Sequence, residues 1–326
     1  MEAEQPFSSR TDLSSLKETV EQIKNEVSKL LVGQHDMVEL LLTAFLADGH
    51  VLIEGVPGVA KTMTAKIISR IVSAKFSRVQ FTPDLMPSDI LGTNIFNVKI
   101  NDFEFKKGAV FTNILLIDEI NRAPAKTQSA LFELMEERQV TMDGTTYPMQ
   151  APFVVLATQN PIEQEGTYRL PEAQLDRFLF KIEVNYPSLS EELQILQGYH
   201  QRNNQTDIQS IQPLLTKENL LTFREMVRKV NVEANVLEYI AKIVVATRHH
   251  PSIYLGASPR ASLAILNSSK ASSLLQGRDF VTPDDIKRVA VPVLRHRLQL
   301  TPEREMEGID VEQVIKEIVQ KIEVPR

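Results

Sequence analysis

The spacing of apolar residues changes character near position 187. Before it, short continuous apolar runs alternate with stripes at helical spacing; after it, only helical stripes remain. Leu16, Val20, Ile23, Val27 and Leu30 repeat as one helix face, with Ser15 and Glu18 placed to form a capping box. Val32-Gly33-Gln34 breaks that helix, and a second is predicted from Met37 to Ala47. Apolar runs at 50–54, 113–117, 153–157 and 179–184, and the alternating segment 75–81, read as strands. Helical segments separate them, which predicts a doubly wound parallel sheet. Residues 82–112, with Pro83, Pro87, Gly92 and Gly108, read as an insertion of short strands between the second and third strands. Asp143-Gly144, within 140–147, is a hairpin signal. Beyond 187, helices are predicted at 191–202, 216–230, 234–249, 259–275, 283–294 and 311–322. Thr282-Pro283-Asp284-Asp285 makes a strong helix start. The predicted organisation is a disordered tail at 1–10, an α/β domain at 11–187 and a helical domain at 188–326.

The run at 50–54 leads into Gly55-Val56-Pro57-Gly58-Val59-Ala60-Lys61-Thr62 and then a helix beginning near Met63. Strand, glycine loop, helix is the context of a phosphate-binding P-loop. Backbone N–H groups and the positive helix end make an anion cradle. Lys61 is expected beside the β- and γ-phosphates of ATP, and the Thr62 hydroxyl on Mg²⁺. Ala60 stands where the general pattern has a second glycine. Its methyl predicts an ordinary backbone conformation there, with Gly58 supplying the freedom instead.

Asp118 and Glu119 close the run at 113–117. Carboxylates at that end of a buried strand sit where phosphates and Mg²⁺ bind. Asp118 is expected in the metal shell and Glu119 as the base that polarises the attacking water. Taken alone, the pair could merely start the next helix. Asn160 follows the strand at 153–157 and could position the water, or serve only the Asn160-Pro161 turn. Arg177 could stabilise charge on the transferred phosphoryl group, in trans, or pair with Glu172 or Asp176 on the surface. Arg260 opens the helix at 259–275, which suggests a cation between the helical domain and the nucleotide, or plain solvation.

Composition narrows the field. The chain has 326 residues, 43% apolar and 24% charged, the profile of a globular protein. A net charge of -6 offers no basic field for nucleic acid. Zero cysteines exclude disulfides, thiolate metal sites and a cysteine nucleophile. Neither a secretory leader nor an 18-residue apolar span is visible, so a cytoplasmic location is expected. The histidines lack metal-ligand spacing, and Arg295-His296-Arg297 reads as a cation cluster ending a helix.

Taken together, the P-loop with Ala60, Ile117-Asp118-Glu119-Ile120-Asn121-Arg122, Ala157-Thr158-Gln159-Asn160-Pro161, the 170–178 segment and the 256–261 segment resemble the MoxR family of AAA+ ATPases. The resemblance runs through nearly all of the chain past residue 30, and the family's P-loop takes the form GxPGxAKT. It implies that Asn160 is the sensor-1 residue, Arg177 the arginine finger and Arg260 the sensor-2 arginine, with Arg169 a second candidate for the finger. It further implies that Gly33 and Gln34 pack near adenine, and that the 82–112 insertion and the Asp143-Gly144 hairpin face a ring pore. Family members form rings, usually hexamers, and are associated with von Willebrand factor A domain proteins as chaperones in maturation or metal-cofactor insertion. A nucleic-acid motor and the motor subunit of a metal chelatase are the alternative functions. The Val140–Met149 segment contains no Lys or Arg, which counts against the former.

Overall fold

The computed structural model describes residues 13–161, 167–203 and 207–325. The tail expected to be disordered, 1–10, lies outside them. Two helices come first, α1 (Ser14–Ser28) and α2 (His35–Leu46), then β1 (His50–Gly55), α3 (Lys61–Ile71) and β2 (Phe76–Gln80). A short α4 (Pro87–Leu91) leads into a hairpin of β3 (Gly92–Asn97) and β4 (Asp102–Lys107). There follow β5 (Ile114–Asp118), a 3-10 turn (Ile120–Arg122), α5 (Ala125–Glu137) and a second hairpin of β6 (Gln139–Met142) and β7 (Thr145–Pro148). The α/β layer ends with β8 (Val154–Gln159), α6 (Glu172–Leu175) and β9 (Phe178–Val184). The helical lid contains α7 (Leu189–Gln201), α8 (Lys217–Lys229), α9 (Ala234–His249), β10 (Ile253–Leu255), α10 (Pro259–Leu275), α11 (Pro283–Leu294), β11 (Gln299–Leu300), α12 (Pro302–Met306) and α13 (Val311–Lys321).

The main sheet runs β2-β5-β8-β1-β9, with every pairing parallel. Each inner strand feeds two cores because successive side chains point to opposite faces. On β5, Ile114 and Leu116 enter the cluster shared with α2, α3 and the lid, while Leu115 and Ile117 join Phe132 and Met135 of α5. Parallel order aligns all five C-terminal strand ends on one edge. Gly55, Gln80, Asp118 and Gln159 therefore meet there, although they are scattered over about a hundred positions of sequence.

The two hairpins touch: Phe105 stacks on Tyr147 with ring centroids 4.5 Å apart, and Asn94 donates to Asp143. The insertion is thus β3, β4 and α4, where only short strands were expected. One capping expectation is wrong. Leu13, not a residue paired with Glu18, occupies the cap of α1, and no side chain caps it. Ser15 is already inside the first turn, where its carbonyl accepts from the Thr19 hydroxyl at 2.7 Å. The β10–β11 ribbon went unforeseen because its strands are three and two residues long.

Lid and α/β layer are fastened by a buried guanidinium. Arg297, just past α11, donates to Asp176 (Nε, 2.6 Å), to the carbonyls of Phe178 (2.6 Å) and Leu179 (3.2 Å), and to the Val293 carbonyl. Beside it the His296 Nε2 lies 2.9 Å from the Phe178 carbonyl oxygen. The Arg295-His296-Arg297 segment therefore turns inward rather than into solvent, with His296 held neutral by burial. Among the described residues, no helix is long and apolar enough to cross a membrane.

Candidate functional site

The loop after β1 takes two left-handed residues. Gly58 has φ +89°, and a side chain added there would meet no atom within 4 Å, so it is the backbone conformation rather than crowding that favours glycine. Ala60 has φ 60° and ψ 20°. This corrects the expectation that the methyl enforces an ordinary conformation. The turn needs a left-handed residue ahead of α3, and Ala60 adopts it at a cost of about 1–2 kcal/mol. Lys61 then begins α3, whose first N–H groups face the loop.

Lys61 Nζ donates to the carbonyls of Gly55 and, at 3.1 Å, Gln159. Burial pulls its pKa down, while Asp118, Glu119 and Glu54 oppose that shift. The Thr62 hydroxyl donates to Asp118 Oδ1 at 3.1 Å, and so does Thr158 at 3.1 Å. Arg78 of β2 holds the other oxygen, Oδ2, at 2.6 Å. The next residue, Glu119, sits at φ 58°, in the left-handed region just past the end of β5. Its amide donates to the Thr158 hydroxyl at 3.0 Å. Gln80 (2.7 Å) and Arg122 (3.2 Å) both donate to its Oε2. Asn160 directly follows β8, whose last residue Gln159 is in register with Glu54, so it lies level with the start of the loop.

A hydroxyl and a carboxylate oxygen 3.1 Å apart, at a loop of open N–H groups, form an oxygen donor pair that suits Mg²⁺. The loop and Lys61 suit a polyphosphate. Next to them opens a cavity of about 640 Å³, lined by Gly33, Gln34, Tyr186, Pro187 and Arg288 among others. Val184, in register with Gly55, lines it too and brings it up to the loop. Gly33 is left-handed at φ +76°, and the Glu191 carboxylate occupies the space a Cβ would need.

Arg177 and Arg260 are elsewhere. Arg177 precedes β9, whose first residue Phe178 is paired with His50 at the start of β1. The P-loop leaves the other end of β1, five residues on, or roughly 17 Å. Arg177 Nε bonds Glu136 of α5 at 2.5 Å, and Arg260 closes on the same carboxylate. The Arg177 hydrogen bond, then the charge of Arg260, hold the Glu136 carboxyl below its usual pKa. Arg177 thus makes a partly exposed ion pair, with Glu136 rather than with Glu172 or Asp176, and Arg260 lies beside it at the domain boundary, away from its own chain's P-loop. Arg169 is 88% exposed and 3.7 Å from Glu172. Sequence reasoning also missed Arg78, Gln80, Thr158, Arg122 and Glu136.

Comparison with known proteins gives the same picture at the level of family. Residues 50–180 match the model of the ATPase family associated with various cellular activities (AAA), and residues 245–318 that of the AAA lid domain. An uncharacterized Bacillus subtilis protein, YeaC, is 48% identical over 92% of each chain. Chaperone MoxR1 of Mycobacterium tuberculosis is 45% identical over 99% of this chain and 87% of its own. A crystal structure from Cytophaga hutchinsonii, described as a candidate ATPase, superposes with a TM-score of 0.87 at 43% identity, covering 96% of this chain and 97% of that one. With such identity across nearly the full length, and a matching core and lid, this chain belongs to the MoxR family of AAA+ ATPases.

Proposed function

We propose that the protein hydrolyses ATP at a site completed by a second copy of itself, and uses the reaction to remodel a client protein. The observation that carries the reading is the placement of Arg177 and Arg260 at the sheet edge opposite the P-loop. Neither can reach the chain's own nucleotide, but both can serve the next subunit's.

In this scheme Gly33 and Gln34 border the adenine, and the 55–63 loop with Lys61 holds the β- and γ-phosphates. Thr62 and Asp118 would hold Mg²⁺, which supplies neutralising charge to the phosphate oxygens. Arg78 and Thr158 fix the Asp118 carboxylate, so its orientation is set before any ligand arrives. Glu119 accepts a proton from water as that water attacks the γ-phosphorus and the phosphorus–oxygen bond to ADP breaks, with ADP leaving. Asn160, on the adjacent strand end, orients the water. Arg177 and Arg260 of the neighbouring copy exchange Glu136 for the developing phosphate charge.

Cycling of these contacts changes how adjacent copies sit in a ring, and a hexamer is the expected size. The client or adaptor is a protein with a von Willebrand factor A domain, as the family resemblance implies, and the protein itself acts in the cytoplasm. The test is Glu119→Gln, which should bind ATP without splitting it, used to capture partners from native extract with Lys61→Ala as the nucleotide-free control. An ATP-dependent protein partner supports remodelling. Nucleic acid released by salt overturns it in favour of a nucleic-acid motor.

A further inference from the structure

α7 carries its apolar stripe on the outside. Leu189, Leu193 and Leu196, spaced i, i+4, i+7, are 89%, 54% and 60% exposed, and none of the helix's residues is buried. Tyr186, just before the helix, is 70% exposed. The inner side of α7 is polar. Glu191 covers Gly33 there, and Arg202, just past the helix, donates to the Lys29 carbonyl at 3.1 Å. A helix that faces its own protein with Glu and Arg and solvent with leucines is inverted relative to a lone globular domain. Large contiguous exposed apolar patches mark interaction surfaces, whereas singly scattered apolar residues do not.

A second apolar group lies at the other end of the sheet. Leu263, one turn along α10 from Arg260, is 61% exposed and lines a surface cleft with Arg260 and Arg177. Tyr254 and Leu255, on the strand leading into α10, are exposed as well. The α7 stripe follows the C-terminal end of β9 and the Leu263 group adjoins its N-terminal end. The two therefore border the two halves of the split ATPase site, the receiving half and the arginine half.

We infer that the outward stripe of α7 docks on the Leu263 surface of a second copy of this chain, seating that copy's Arg177 and Arg260 at the first copy's P-loop. The inference rests on the proposed trans site, and adds the surface that sets its register. Because the two surfaces lie at opposite ends of the fold, the contact is head-to-tail, the geometry that closes into rings.

The experiment is a complementation of interfaces. Leu193→Glu/Leu196→Glu spoils one surface and Leu255→Ser/Leu263→Ser the other; all four side chains are solvent-facing, so both variants should fold. Light scattering with a non-hydrolysable ATP analogue should show each variant alone as a monomer with wild-type nucleotide affinity and turnover reduced to the Arg177→Ala level. Mixed one to one, they retain a single intact interface and should form a dimer with partial turnover. Assembly of either variant like wild type, a mixture that stays monomeric, or a wild-type chain that never assembles overturns the docking. If the trans site itself is wrong, the outcome differs: the monomeric variants turn over ATP normally, and so does Arg177→Ala. Since the chain has no cysteine, Leu196→Cys with Leu263→Cys gives an independent check. It should form disulfide-linked multimers only when both substitutions are present, and absence of links in assembled rings overturns the contact.

Discussion

Arg260, at the start of a lid helix, closes on Glu136, at the end of α5 in the α/β layer, and so ties two domains together at the sheet edge farthest from the P-loop. The pair is partly exposed, at 45% and 33% of the two side chains. It is worth little as stability, because exposed ion pairs typically contribute about 0–1 kcal/mol. Under the proposed trans site its value is positional: it parks a cation where a neighbour's phosphate can claim it.

Removing that parking place leaves both arginines without their carboxylate. Glu136→Gln should change thermal stability by less than about 1 kcal/mol. It should raise turnover of the assembled form with ATP affinity unchanged, since the arginines no longer have to be drawn away. Arg177→Ala or Arg260→Ala should leave binding intact and cut turnover by about 10³-fold or more. Steady-state phosphate release with a parallel fluorescent-nucleotide titration separates the two effects. Normal turnover in Arg177→Ala moves the finger to Arg169.

Lys61→Ala should weaken ATP binding by at least about tenfold, because a charge-assisted contact of about 1.5–3 kcal/mol is lost. Isothermal calorimetry reads this directly, and retained affinity would remove Lys61 from the phosphates.

Glu119→Gln should keep the hydrogen bonds of its side chain yet lose its basicity. Turnover should fall by about 10²–10⁴-fold with ATP affinity unchanged. Single-turnover phosphate release is the measurement, and an unchanged rate places the base elsewhere.

Much of the site was legible because its motifs are local. The P-loop, the Asp118-Glu119 pair and Asn160 each sit at the end of a strand that its own apolar run announces. The lid helices Ala234–His249, Pro259–Leu275 and Pro283–Leu294 were legible to the residue, two of them through a proline at the first helical position. Arg78 and Gln80 were not, because their relation to Asp118 and Glu119 comes from pairing β2 with β5 in the Gln80–Asp118 register across 38 positions. No local period encodes that register. Glu136 was missed for the same reason, its two partners lying 41 and 124 positions away. The left-handed Ala60 escaped because a residue's type is a weak guide where the surrounding turn dictates φ.

Ala60→Gly tests that strain. Glycine removes the left-handed penalty but makes the unfolded chain more flexible, and the two effects are of similar size, each about 1 kcal/mol. The melting temperature should therefore move little, and nucleotide affinity should be kept. A collapse in affinity would show that the methyl itself shapes the cradle.

Acid should destabilise the fold through His50. The ring is buried; its Nδ1 accepts from the Val155 amide at 2.9 Å and its Nε2 lies 3.2 Å from the Met135 carbonyl. Burial, then the nearby Arg138 charge, lower its pKa from 6.5 to about 4. The folded state thus resists a proton that the unfolded state accepts below 6.5. Stability is complete above pH 6.5 and declines as pH falls towards 4, by about 3 kcal/mol from this residue. His296, also buried and lowered, adds in the same direction. Urea denaturation from pH 7.5 to 4.5 checks it, and a flat profile above pH 5 would show that His50 is not held neutral.

The boundary between the two domains has fastenings of opposite kinds. Arg297 is sunk among Asp176 and three carbonyls, and extracting it would strand a buried charge at a cost of about 3–5 kcal/mol. Arg260 and Glu136, a few residues away in space, sit partly in water and part cheaply. The first acts as a hinge pin and the second as a detent. In the proposed assembly, a subunit built this way can release its outward arginines to a neighbour without unseating its own lid, so the compliant joints lie between chains and each chain passes motion on as a stiff lever.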